Sequence, residues 1–135
     1  MTSFRRGSLL VASVLSVSAL TFTVAAQVTG GRTELKRADL SGADPMEVIT
    51  ALQETKPGEE IPRHYHHGTE AGYVVQGAMI QAPGKEPILL ATGSSFMWPR
   101  GVPHAGFKVV GETSLKLFTT HIVDKGKSLS EQVKE

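Results

Sequence analysis

The chain has 135 residues, 40% of them hydrophobic and none of them cysteine. That leaves room for one domain with a real core and excludes disulfides, a thiol nucleophile and thiolate ligands. Fourteen lysines and arginines against 13 acidic residues give a net charge of +1, too little to draw in nucleic acid or an anionic membrane surface.

Met1 to Ala26 has the three parts of a secretory leader: basic Arg5-Arg6, an apolar run from Leu9 to about Val24, and small residues before Gln27. Cleavage after Ala26 makes the protein exported, periplasmic or secreted. The competing reading is an uncleaved membrane anchor, which the serines and threonines of the run and its small-residue end disfavour. Arg5-Arg6 also allows twin-arginine export, although Phe4 and Ser8 depart from the usual surroundings of that signal.

Residues 27–45 are polar and read as an N-terminal arm or edge strand, with at most a short strand from Glu34 to Ala38. The domain proper is expected over 46–124. It opens with the β-branched run Glu47 to Glu54 and continues as short strands punctuated by glycine and proline. These are Tyr73 to Gln76 and Ala78 to Gln81 kinked at Gly77, Ile88 to Ala91, Ser95 to Trp98, Ala105 to Val110 and Ser114 to Val123. Such spacing indicates an all-β sandwich or barrel. Residues 125–135 form a tail in which Leu129 to Glu135 is the one candidate helix.

The chemistry concentrates in Gly58 to Gly77. In an extended segment His64 and His66 point to the same face. A turn or bulge at His67-Gly68-Thr69, with Gly68 taking a positive φ, would bring Glu70 onto that face. His104, just past Pro99-Arg100-Gly101-Val102-Pro103, is the fourth candidate. Imidazoles with one carboxylate suit a divalent transition metal, whereas calcium or magnesium would draw mostly on oxygen ligands. Iron, manganese, nickel, copper, cobalt and zinc all remain open.

The spacing of these residues resembles the cupin family. Gly58, His64, His66, Glu70 and Gly77 match every fixed position of its first motif, and Gly93, Pro99, Gly101 and His104 match its second, where Lys108 replaces the final Asn. The resemblance implies a double-stranded β-helix, that is, a jelly-roll barrel. It also implies one divalent metal on His64, His66, Glu70 and His104, with a small molecule as substrate or ligand. Its functions run from dioxygenases, the favoured reading, to isomerases, decarboxylases and lyases, and a non-catalytic module that binds a metal or small ligand is the alternative. Cupins commonly pair, so a homodimer is expected, and the arm before Met46 could add a strand to a neighbour's sheet.

Other residues carry secondary expectations. His121, in the last strong strand, is a candidate partner of the metal ligands or general base, against a bland reading as a hydrogen-bonded core or interface histidine. Tyr73 is a catalytic candidate only if a bulge beyond Gly72 turns it inward. Trp98 and Lys108 are pocket candidates. Lys108 shares the parity of His104, so either a bulge exposes it or it meets an anion. Arg63 and Arg100 could clamp a carboxylate at the rim. His67 and Tyr65 read as surface or packing residues. Met79, Phe96, Met97, Trp98, Phe107 and Phe118 are expected mostly in the core.

Overall fold

The computed structural model describes residues 31–133; the leader-like Met1 to Ala26 and the last two residues lie outside them. Two ten-residue strands, β2 (Met46–Thr55) and β10 (Leu115–Asp124), pair antiparallel along their whole length. Both bury their odd-numbered positions, because a strand repeats every two residues and only one face meets the core. Flanking them are β1 (Arg32–Asp39) on one side, and β5 (Gly68–Gln76) and β8 (Ser95–Trp98) on the other, giving the order β1-β2-β10-β5-β8. A four-stranded sheet takes the order β3-β9-β6-β7, from β3 (Glu60–Ile61), β9 (Phe107–Val110), β6 (Ala78–Gln81) and β7 (Ile88–Leu90). The short pair β4 (His64–Tyr65) and β11 (Glu131–Gln132) completes the set. Every pairing is antiparallel, and no helix forms among the described residues. The architecture is all-β, the double-stranded β-helix barrel that the sequence implied.

Ile61, Val74, Ala78, Ile80, Val109, Leu115 and Leu117 make the apolar core, with Leu90, Phe96 and Phe107 against it. Burying aliphatic side chains of this kind contributes about 1.5–3 kcal/mol each.

Four expectations need correction. The strand in the arm is longer than the short one expected from Glu34 to Ala38: Arg32 to Asp39 pairs with β2 as the edge of its own sheet, with a register break between Glu34 and Lys36. Among its described residues the tail is not helical, as Glu131-Gln132 pairs with Tyr65-His64 and Val133 N donates to Arg63 O. A few residues nucleate a helix poorly, whereas pairing satisfies the backbone of β4. Gly68 has no positive φ; it lies in β5, where an added Cβ would collide with Ile122 O and stand 2.6 Å from Val123 Cα. Glycine is there because the neighbouring strand passes so close. Finally, Met79, Met97 and Phe118 face outward and are exposed, and only Phe96 and Phe107 of the aromatic and Met set pack on the core. Leu52, Phe118 and Tyr73 stand side by side in register on the outer face of the large sheet, where each is at least one-third exposed.

Candidate metal centre

His64, His66, Glu70 and His104 come together inside the barrel, all buried, with one potential ligand atom from each lying within 4.8 Å of the others. Three connections bring them there. His64 and His104 exchange backbone hydrogen bonds, His64 N to His104 O at 3.1 Å and His104 N to His64 O at 2.9 Å. Gly101 N donates to His66 O, so the Pro99 to Pro103 loop is tied to the first motif. Glu70 is an inward position of β5, opposite Trp98 on one side and His121 on the other.

The imidazoles are oriented from behind. His64 Nδ1 donates to Pro62 O (2.7 Å), His66 Nδ1 to Leu129 O (2.6 Å) and His104 Nδ1 to Val102 O (2.9 Å). With Nδ1 committed as donor, each ring turns Nε2 toward the centre, where the neutral form of the ring offers a lone pair. His66 Nε2 and His104 Nε2 stand 3.1 and 2.9 Å from the same atom, Glu70 Oε2, while His64 Nε2 is buried with no partner. Three imidazole Nε2 atoms and one carboxylate therefore converge at the centre. Burial, with some help from the neighbouring imidazoles, lowers the His64 pKa to about 4, so this ring is neutral near pH 7. Burial pushes Glu70 up, but the imidazoles of His104, His121 and His66 facing it outweigh that and hold it below the usual carboxylate range. Three imidazole Nε2 atoms and a carboxylate gathered in this way form a donor set that fits a divalent transition metal.

His121 is fully buried, with Nε2 3.2 Å from the other Glu70 oxygen, Oε1. It does not line the cavity beside the centre, which puts it behind the carboxylate as an orienting group and away from any substrate. Neither of its ring nitrogens makes a well-aligned hydrogen bond. Burial lowers its pKa, and Glu70 opposes the shift.

A cavity of about 210 Å³ adjoins the centre, bounded by His64, Glu70 and His104 and otherwise mainly apolar. Trp98 lines it, stacked on His104 with ring centroids 5.1 Å apart and planes 6° from parallel. Lys108 does not. Ala105 and Gly106 take φ of +58° and +81°, which resets the alternation, so Phe107 faces in and Lys108 faces solvent between Glu60 and Gln81. Tyr73 is half exposed on the outer face, because the irregularity in β5 falls after Val74, too late to turn it. Arg100 is exposed and paired with Asp124 (2.6 and 2.8 Å), and Arg63 is exposed beside Gly106.

Three contributors were missed from sequence. Arg32 and Gln53 line the cavity, with Arg32 Nη2 donating to Gln53 Oε1 (3.2 Å) and Arg32 Nε buried without a partner. Burial lowers the Arg32 pKa, against the pull of Glu70. The third is the Leu129 carbonyl, a backbone atom that leaves no sequence signal.

The chain matches the family model described as a cupin domain over residues 51–121, just over half its length. No curated protein sequence matches it. Among solved structures it resembles a Klebsiella pneumoniae protein described as uncharacterized, with a double-stranded β-helix domain (TM-score 0.55, 15% identity, 87% of this chain and 100% of that one). It also resembles the polyketide cyclase RemF from Streptomyces resistomycificus (TM-score 0.52, 20% identity, 90% and 87% covered). A DMSP lyase is similar as well (TM-score 0.51, 20% identity, 76% and 52% covered), and the match spans about half of the lyase chain. At these identities the likeness is one of fold.

Proposed function

This chain belongs to the cupin family, and from that premise we propose that it is an enzyme using one divalent transition-metal ion to act on a small organic substrate in the adjoining cavity. The observation that carries the reading is the convergence of three imidazole Nε2 atoms and the Glu70 carboxylate beside an apolar cavity. His64, His66, Glu70 and His104 would hold the metal. When bound, it supplies Lewis acidity and positions for a substrate oxygen or dioxygen. The chain's own residues do the rest: carbonyls fix the imidazoles, His121 backs the second oxygen of Glu70, and the apolar walls and Trp98 exclude water from the reacting end.

Within that class we favour dioxygenase-like chemistry, in which both atoms of dioxygen end in the product. Among the described residues lining the cavity, the ligands and Arg32 are the only side chains that titrate or carry charge. A lyase or isomerase that moves protons through a dedicated acid or base has less to work with there.

Elemental analysis per chain, followed by oxygen-uptake screens over small organic substrates, tests the proposal. About one equivalent of iron, manganese, nickel, copper or cobalt, lost in His64→Ala, supports it. A wild-type protein that retains no transition metal after reconstitution, or a His64→Ala variant with unchanged metal content, overturns it. Export and homodimerisation belong to the same proposal, supported by the leader-like N-terminal sequence and the exposed apolar row Leu52, Phe118 and Tyr73. N-terminal sequencing that finds Gln27 first and light scattering at twice the chain mass are the expected results. Met1 retained or a single-chain mass would remove the corresponding part.

A further inference from the structure

Arg32 comes from the outermost strand, yet its side chain points inward. The register of β1 on β2 sets it opposite Gln53, an inward position of β2, and residues directly opposite in an antiparallel pair share a face. It lines the cavity that also exposes His64, Glu70 and His104.

What surrounds it there is unusual for an arginine. Arg37 pairs with Glu34 and Glu47, Arg100 with Asp124, and Lys125 with Asp39. Arg32 forms no ion pair with a carboxylate among the described residues. Its one recorded side-chain partner is the neutral Gln53 Oε1 at 3.2 Å, and Nε is buried without any. The walls of that cavity, including Ile61, Phe96, Phe107 and Leu117, are apolar, and on its other side Arg32 borders polar clefts that it shares with Ser130. A cation held against apolar walls with spare donors is costly unless an anion completes it, and a guanidinium fork matches a carboxylate in two parallel hydrogen bonds.

We propose that Arg32 is the substrate-anchoring residue of this site and that the ligand it selects is a small monocarboxylic acid, its carboxylate on Arg32 and its apolar body across Phe96, Phe107 and Leu117. The assignment rests on the metal-enzyme reading for the reacting end of the molecule, but the anchor itself is independent of which metal is bound. A cavity of about 210 Å³ restricts the acid to a short chain or a single ring. The carboxylate acts as a handle: it orients the remainder toward the metal ligands and takes no part in bond making. The selecting residue thus lies outside the two histidine motifs, on a strand that precedes them.

The test is a binding titration of the protein as purified, with metal content measured on the same samples. The probes are a panel of linear, branched and aromatic monocarboxylates of two to eight carbons, each with its neutral amide. Wild type is expected to bind at least one acid about tenfold or more tighter than its amide, as a charge-assisted bidentate pair provides. Arg32→Gln should lose that preference with metal content and melting temperature unchanged, and Arg32→Lys should keep part of it. A wild type that binds no acid in the panel, or does not distinguish acid from amide, overturns the proposal. So does an Arg32→Gln variant that keeps the preference. Absence of metal from a wild type that still selects acids through Arg32 would overturn the enzyme reading and leave the anchor standing.

Discussion

At the scale of single residues, Glu70 is where the interactions of the centre meet: one oxygen faces His66 and His104, the other faces His121. Because His121 faces Glu70 and lies outside the cavity lining, its effect should pass through Glu70 alone. Replacing it with Phe is expected to weaken metal binding by about 10–100-fold, the usual consequence of losing a group that orients a ligand. Competition with a chromophoric chelator measures this, and an unchanged affinity would mean that Glu70 is held by other contacts. Gly68 is the other residue whose identity is dictated by a neighbour. A Cβ there would run into Ile122 O, so Gly68→Ala should destabilise by about 1–3 kcal/mol in urea unfolding through forced displacement of β10. A stability equal to wild type would show that the two strands part without cost.

At the scale of elements, the tail is a working part of the site. Strand β11 pairs with the strand that carries His64, and Leu129 O accepts from His66 Nδ1 at 2.6 Å. Deleting residues 128–135 removes both and frees the His66 ring to rotate. The expected outcome is a folded barrel whose metal affinity falls by about 10–100-fold. Retained affinity would show that Glu70 and the Gly101 contact position His66 unaided. The loop after Trp98 has a similar positioning role: Gly101 N on His66 O and the reciprocal pairing of His104 with His64 fasten the second motif to the first.

At the scale of the whole molecule, burying the imidazoles couples stability to pH. His64 has its pKa lowered to about 4 by burial, whereas in the unfolded chain it titrates near 6.5. Above about pH 6.5 both states are neutral and stability is unaffected. As pH falls below that value the unfolded chain binds the proton first, and the loss is complete near pH 4, on the order of 3 kcal/mol. Glu70 is held below its ordinary range, so its contribution is present above the unfolded value of about 4.3 and is lost below it, in the same direction. Metal-free protein is therefore expected to melt progressively lower from pH 7 to pH 4.5, by on the order of 10 °C in total. A flat profile over that range would mean that His64 is solvated in the metal-free state.

Sequence by itself determined the β-class, the barrel and the four side chains that gather at the candidate metal centre. Each depends on local spacing: two-residue alternation, glycine and proline punctuation, and fixed intervals around His64, His66, Glu70 and His104. Tertiary structure decided what depends on register between distant segments. Arg32 became a cavity residue because β1 aligns it with Gln53, and Leu129 reached His66 because β11 pairs with β4. Lys108 was put out by two consecutive positive φ angles at Ala105 and Gly106, and Tyr73 stayed out because the strand irregularity comes after Val74. Strand pairing across many residues is settled by which backbone groups and faces are left to satisfy once the whole sheet has formed, and no short window of sequence contains that information.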